Sequence, residues 1–169
     1  HPTTFIEANQ VNYDWYYSDY LSNDITRWPT SDKKKSIYDP CPDGWRIPDG
    51  GTEGVWAKAL GTTALSSIAF DKTNEGIDFS GKLGSASSIW YPAAGHIAPE
   101  DYGNSWVAGE LINVELGGQW WSASHYPYEN GSANYVFASI FQISKYGDSI
   151  DLADKYNHAN GLSVRCIKE

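Results

Sequence analysis

The chain contains no methionine and only two cysteines in 169 residues. It is also short of positive charge: 12 Lys and Arg stand against 21 Asp and Glu, for a net charge of −9. A surplus of that sign repels phosphate backbones and anionic lipid, which argues against nucleic acid as a partner. No apolar run approaches the roughly 18–20 residues of a membrane-spanning helix, so no direct membrane insertion is expected. The four histidines, His1, His96, His125 and His158, lack the H-x-x-x-H and H-E-x-x-H spacings of zinc hydrolases. Neither G-x-S-x-G nor G-x-x-x-x-G-K-[ST] occurs. Carboxylates such as Glu110 and Glu115 are plentiful, but nothing constrains two of them into a glycosidase pair. The expectation is a chain that is not an enzyme and carries no catalytic residues, no cofactor and no metal. No signal peptide is visible, and the start at His1-Pro2 reads as a piece cut from a longer protein or a mature fragment.

Aromatic residues are abundant. Eight Trp and twelve Tyr contribute to a hydrophobic fraction of 41%, enough to fold one domain over residues 1–169. The organising stretch is Tyr38–Pro48, Tyr-Asp-Pro-Cys-Pro-Asp-Gly-Trp-Arg-Ile-Pro. Its three prolines fix φ and disfavour helix before them, and Asp43-Gly44 adds a tight turn. The result is a rigid bend that holds Cys41. The second cysteine, Cys166, lies three residues from the end of the sequence. The two are either bonded, closing nearly the whole chain into one loop, or two buried free thiols.

Residues 1–37 hold an aromatic cluster, including Trp15 and Trp28, read as a short strand near Thr3–Glu7 and a wrap that packs on the body. Lys33–Lys35 reads as a solvated turn. Thr52–Leu60 predicts a helix, with Thr52 as N-cap, an apolar stripe of Val55, Trp56, Ala59 and Leu60, and Gly61 as stop. Residues 63–70 predict a second short helix, and Gly76–Leu83 a short strand. From Ile89 onward the chain reads as β. Strands are predicted at Ile89–Gly95, Trp106–Gly109, Leu111–Leu116, Gln119–Ser124, Ala133–Ser144, Tyr146–Leu152 and Gly161–Lys168. Gly117-Gly118 is read as a break, Asn130-Gly131 as a hairpin turn and Asp154–Asn160 as a polar loop. Both alternating faces of Ala133–Ser144 are apolar, which predicts an interior strand. Trp120 and Trp121 take opposite faces, one in the core and one nearer a binding side.

Three motifs in order carry a resemblance: Asp39–Pro48, then Gln119-Trp-Trp-Ser-Ala-Ser124, then Gly161-Leu-Ser-Val-Arg-Cys166. With the Trp56 helix between the first two, the chain resembles the Fibrobacter succinogenes major paralogous domain. That domain also occurs at the ends of Bacteroidales fimbrillin-like and surface lipoproteins. The resemblance implies an α+β, C-type-lectin-like fold: two short helices, a small twisted antiparallel sheet, and paired N- and C-terminal strands. It also implies an extracellular or cell-surface setting, with outer-membrane anchoring through a missing N-terminal region. Residues 121–165 further resemble the variable stretch of diversity-generating-retroelement proteins, which opens with Trp-Ser-Ala-Ser and closes with Gly-x-Ser-Val-Arg.

C-type-lectin-like relatives that hold sugar through calcium carry Glu-Pro-Asn or Gln-Pro-Asp, and Trp-Asn-Asp; neither pattern is present. Formylglycine-generating relatives need a reactive cysteine pair close together, whereas Cys41 and Cys166 stand in positions better suited to structure. The acids Asp148, Asp151 and Asp154 read as a solvated loop, with a hard-cation site on their oxygens as the alternative. The predicted ligand-binding set is Trp121, His125, Tyr126, Tyr128, Asn130, Tyr135, Tyr146, Asp148, Tyr156 and His158. Tyrosine offers wide contact at small entropic cost, and Asn, Ser and Gly add adaptable hydrogen bonds. The expected partner is a protein or glycan on another cell or host surface. The alternative is a structural pilus or tip module whose exposed strands serve assembly.

Overall fold

The computed structural model describes residues 35–61, 68–82, 89–98, 107, 109–130, 133–156, 158 and 160–169, with backbone alone for 126–130, 133–140, 148, 153, 155 and 156. The expected strand at Thr3–Glu7 and most of the expected second helix lie outside these residues, and with that strand its expected pairing to the C-terminal one. What is described is a mixed α+β arrangement, mostly strand. In chain order the elements are β1 Trp45–Arg46, α1 Val55–Leu60, β2 Gly76–Asp78, β3 Trp90–Pro92, β4 Ala94–Ile97, β5 Leu111–Val114, β6 Gly117–Asn130, β7 Ala133–Ser144, β8 Ser149–Tyr156 and β9 Ile167–Lys168.

The main sheet has the order β5-β4-β6-β7-β8, and two small antiparallel pairs, β1-β9 and β2-β3, flank it. Most pairing is antiparallel, as expected, but β4 meets β6 in parallel at Gly95 and Gly118. The last strand pairs with the Tyr38–Pro48 bend, Trp45 opposite Lys168 and Arg46 opposite Ile167. That bend is held from within. Asp39 accepts from the Cys41 N–H at 2.8 Å with one carboxylate oxygen and from the Ile47 N–H at 3.0 Å with the other. Arg46 grips Asp49 through both guanidinium nitrogens at 2.9 and 3.3 Å. Cys41 and Cys166 form a disulfide across a 5.8 Å Cα separation, 125 residues apart in sequence.

The helix is shorter than predicted. Gly54, not Thr52, is its N-cap, because the Val55 N–H is already engaged by the Asp49 carbonyl at 3.0 Å. Gly61 does end it, with φ at 68° and its N–H on the Ala57 carbonyl. Trp56 and Leu60 enter a core built with Phe70, Ile77, Phe79, Tyr91, Trp120, Phe141 and Ile143. Trp56 stacks on Phe141 with ring centres 5.0 Å apart, and Trp120 and Phe79 meet Tyr91 edge-on. Trp120 and Trp121 are both buried, at 2% and 6% exposure. The expected division into a core tryptophan and one nearer a binding side gives way to two core residues. A second buried cluster lies beside this core, where Ile47, Ala123 and Cys41 pack with Cys166.

Two further boundaries differ. Gly117-Gly118 opens β6 instead of breaking the sheet; the reversal falls one step earlier, where the Leu116 N–H reaches the Asn113 carbonyl at 3.1 Å. Tyr146–Asp148 is a single 3-10 turn, so the strand expected from Tyr146 starts at Ser149 and runs into the range expected as polar loop, ending at Tyr156.

Candidate ligand-binding surface

β6 and β7 form one long hairpin whose bond pattern changes along its length. From Gly117 to Trp121 the two strands pair in step with Ser144 to Ile140. Between Trp121 and His125 the register shifts, with extra residues on β6. The released groups bond to the bend instead. The Ala123 N–H donates to the Pro48 carbonyl at 2.8 Å, and the Ser124 hydroxyl accepts from the Gly50 N–H at 3.0 Å. The Trp121 N–H donates to the Ser163 carbonyl at 3.0 Å, tying β6 to the C-terminal segment. The register then resumes from His125 opposite Ala138 to Asn130 opposite Ala133.

β8 pairs with β7 only from Ser144 down to Ala138, where Tyr156 is the partner. Past that point, among the described residues, the hairpin is two strands wide. Its alternating positions hold Tyr126 opposite Phe137 and Tyr128 opposite Tyr135, with Asn130 opposite Ala133. Directly opposite residues share a face of the ribbon, so these three tyrosines belong to one set of positions. His125, Ala138 and Tyr156 are aligned across three strands at the base of this stretch. The rings of His125 and His158 meet there edge to face, 5.6 Å apart, and both residues are half-buried.

The ten predicted residues therefore do not form one patch. Tyr126, Tyr128, Asn130 and Tyr135 share the two-stranded stretch, and His125, Tyr156 and His158 adjoin it. Tyr146 and Asp148 lie at the other end, beyond the Gly117–Ser144 pair. Roughly 30 Å of strand separates the two ends, at about 3.3 Å per residue. Tyr146 is 69% exposed there. Trp121 is buried, on the inner half of β6 opposite Ile140.

The sequence reading missed two features. One is a cavity of about 390 Å³ between α1, β3 and the C-terminal segment, walled by Val55, Ala59, Ile89 and Ile167. On its floor the Trp56 indole N–H donates to the Tyr91 hydroxyl at 2.8 Å. Burial pushes the Tyr91 hydroxyl pKa up, opposed by Trp56 and by Arg165. The Arg165 guanidinium lies 4.0 Å over the Tyr91 ring and donates to the Trp90 carbonyl. The other is a polar line through the sheet, His96 to Gln119 to Gln142. The available signal was two glutamines inside strands whose neighbours are aromatic or β-branched. Among the described residues, no three His, Cys, Asp or Glu gather where they would hold a metal ion.

Comparison with protein-family models, with curated proteins and with solved structures gives no significant match. The reading of this surface therefore rests on its own geometry. A disulfide of this kind forms and persists in oxidising compartments, so a setting outside the reducing cytosol fits the chain. Among the described residues no helix is long and apolar enough to cross a membrane.

Proposed function

We propose that this is a non-catalytic recognition domain of an exported or cell-surface protein. It takes a protein or glycan ligand on the β6–β7 hairpin and the adjoining end of β8. The observation that carries the reading is the register that gathers Tyr126, Tyr128 and Tyr135 on one face of a stretch only two strands wide. Aromatic side chains in that arrangement give large contact area at low entropic cost. The bulge and the disulfide-closed body beneath hold the base of the hairpin, as a loop-borne site requires.

The proposal extends to a C-type-lectin-like fold and to kinship with the Fibrobacter paralogous domain. The disulfide between the first and third motifs supports it, as does the Trp121–Ser163 hydrogen bond between the second and third. The same bond supports retroelement diversification of residues 121–165, since a rewritten stretch needs both ends anchored. An adenine-rich near-copy beside a reverse transcriptase gene is the expected genomic sign. A genome without one overturns that part.

The main test replaces Tyr126, Tyr128 and Tyr156 together by Ala. Binding found for the unaltered chain on glycan and protein arrays should vanish while the melting temperature stays nearly unchanged. Unfolding of the triple variant would instead make these tyrosines core. One observation favours a second reading, a pilus or tip module. The outer edges of the two-stranded stretch have no third strand among the described residues, and bare edges invite strand addition. Concentration-dependent oligomers in sedimentation, with no array ligand, would favour that reading.

A further inference from the structure

At the end of the sheet away from the tyrosine pairs, the β5–β6 turn, the start of β6, the end of β7 and the 3-10 turn enclose a hollow of about 140 Å³. Its floor is polar where the surrounding sheet is apolar. Gln119 is 4% exposed, and Gln142 sits between the fully buried Phe141 and Ile143. A buried amide is costly unless hydrogen-bonded. Here the bonds run in one direction. The Gln119 side-chain carbonyl lies 3.1 Å from His96 Nδ1, and as an acceptor it requires the proton on that nitrogen. The Gln119 amide group donates in turn to the Gln142 side-chain carbonyl at 3.2 Å. The inward partner thus occupies the carbonyl of Gln142, and its NH₂ group has no protein acceptor among the described residues.

Around this fixed donor stand the Asn113 amide, the Ser144 hydroxyl and Tyr146. Ser144 holds the Tyr146 N–H at 3.1 Å, which sets the tyrosine at the rim. Among the described residues, no charged side chain lines the hollow. An anion would find no cation there, in a chain of net charge −9. An apolar group would leave the Gln142 donors unmet. The space is well below the roughly 300–1,000 Å³ of pockets for drug-sized ligands. A small, uncharged ring with several hydroxyls on its edge and C–H groups on its face satisfies all of these conditions.

We propose that this hollow is a binding subsite for a neutral pyranose, with Gln142 donating to a ring hydroxyl, Asn113 bridging a neighbouring one and Tyr146 covering the C–H face. It stands apart from the tyrosine hairpin, so either site can fail without the other.

The test titrates the full chain, ¹⁵N-labelled, with glucose, galactose, mannose and N-acetylglucosamine, and with sialic acid as the charged comparison. The expected result is saturable shifts of the Gln142 and Asn113 side-chain amide signals with at least one neutral sugar, and none with sialic acid. Gln142→Ala and Tyr146→Ala should each weaken that binding about tenfold, as loss of one good polar or stacking contact does. Tyr146→Phe should retain it. Should Gln142→Ala unfold, the exposed Tyr146 pair of variants decides. The proposal fails if no neutral sugar moves these signals, if sialic acid moves them equally, or if Tyr146→Ala binds undiminished. Retention of any hairpin ligand by the Gln142 variant would separate the two sites.

Discussion

His96 lies in the core at 5% exposure, and burial lowers its pKa below the ordinary 6.5, with the Gln119 hydrogen bond working the other way. The unfolded chain therefore takes up a proton at this imidazole before the folded one does. Its contribution to stability is fully present above about pH 6.5 and is lost as pH falls through the lowered folded value. Denaturant midpoints measured between neutral pH and about pH 5 should fall less steeply for His96→Gln than for the unaltered chain. Equal slopes would place the acid sensitivity elsewhere. Residue-scale features of this kind were hard to read from sequence. A lone His and two Gln in apolar strands have no local spacing that joins them; only sheet register brings β4, β6 and β7 side by side. Asp39 is different. It sits within the proline-rich bend already singled out, and its bonds to Cys41 and Ile47 are how that bend keeps its shape.

At the scale of elements, strands were more legible than their ends. Ala133–Ser144 was bounded correctly from its two apolar faces, and over its inner half it is an interior strand, as that pattern implied. The Asn130-Gly131 signal fell at the β6–β7 reversal. The expected break at Gly117-Gly118 is instead the start of β6. Gly95 and Gly118 pair where β4 meets β6, and each lacks room for a side chain against other elements: a Cβ on Gly118 would lie 2.6 Å from the Pro92 carbonyl oxygen. A Cβ on Gly95 would lie 2.2 Å from the Ile112 carbonyl oxygen, and its φ of 68° is unfavourable for any other residue. Gly95→Ala should destabilise the fold by about 3 kcal/mol in chemical denaturation, from overpacking and strain together. Gly81→Ala, with a similar φ and nothing within 4 Å, should lose only about 1 kcal/mol. Similar losses at both positions would mean that close approach contributes nothing. The late tyrosines were legible as a group but not as two groups at opposite ends of the sheet, because the strand length that divides them depends on pairing.

For the whole molecule, sequence left the cysteines open between bridge and thiols, since no local pattern reports whether two sulfurs 125 residues apart meet. Closing so long a loop restricts the unfolded chain by an amount worth about 4–5 kcal/mol in the chain-entropy model, and native bridges in small domains are typically worth about 2–5. The double variant Cys41→Ser, Cys166→Ser should lose stability in that range, read as a lower urea midpoint under non-reducing conditions. An unchanged midpoint would show that the β1–β9 pairing closes the molecule without the bridge. The mixed α+β class was also legible from the switch of periodicity after residue 89. The detailed lectin-like topology was an inference from motifs and stays with the proposed function.

The bridge has one more effect. Its covalent ring encloses α1 and every strand from β1 to β8. A protease that nicks the backbone anywhere within it, the tyrosine hairpin included, sheds no fragment. The severed halves stay tethered until a reductant reaches the sulfurs, so a single cut leaves the two pieces covalently joined.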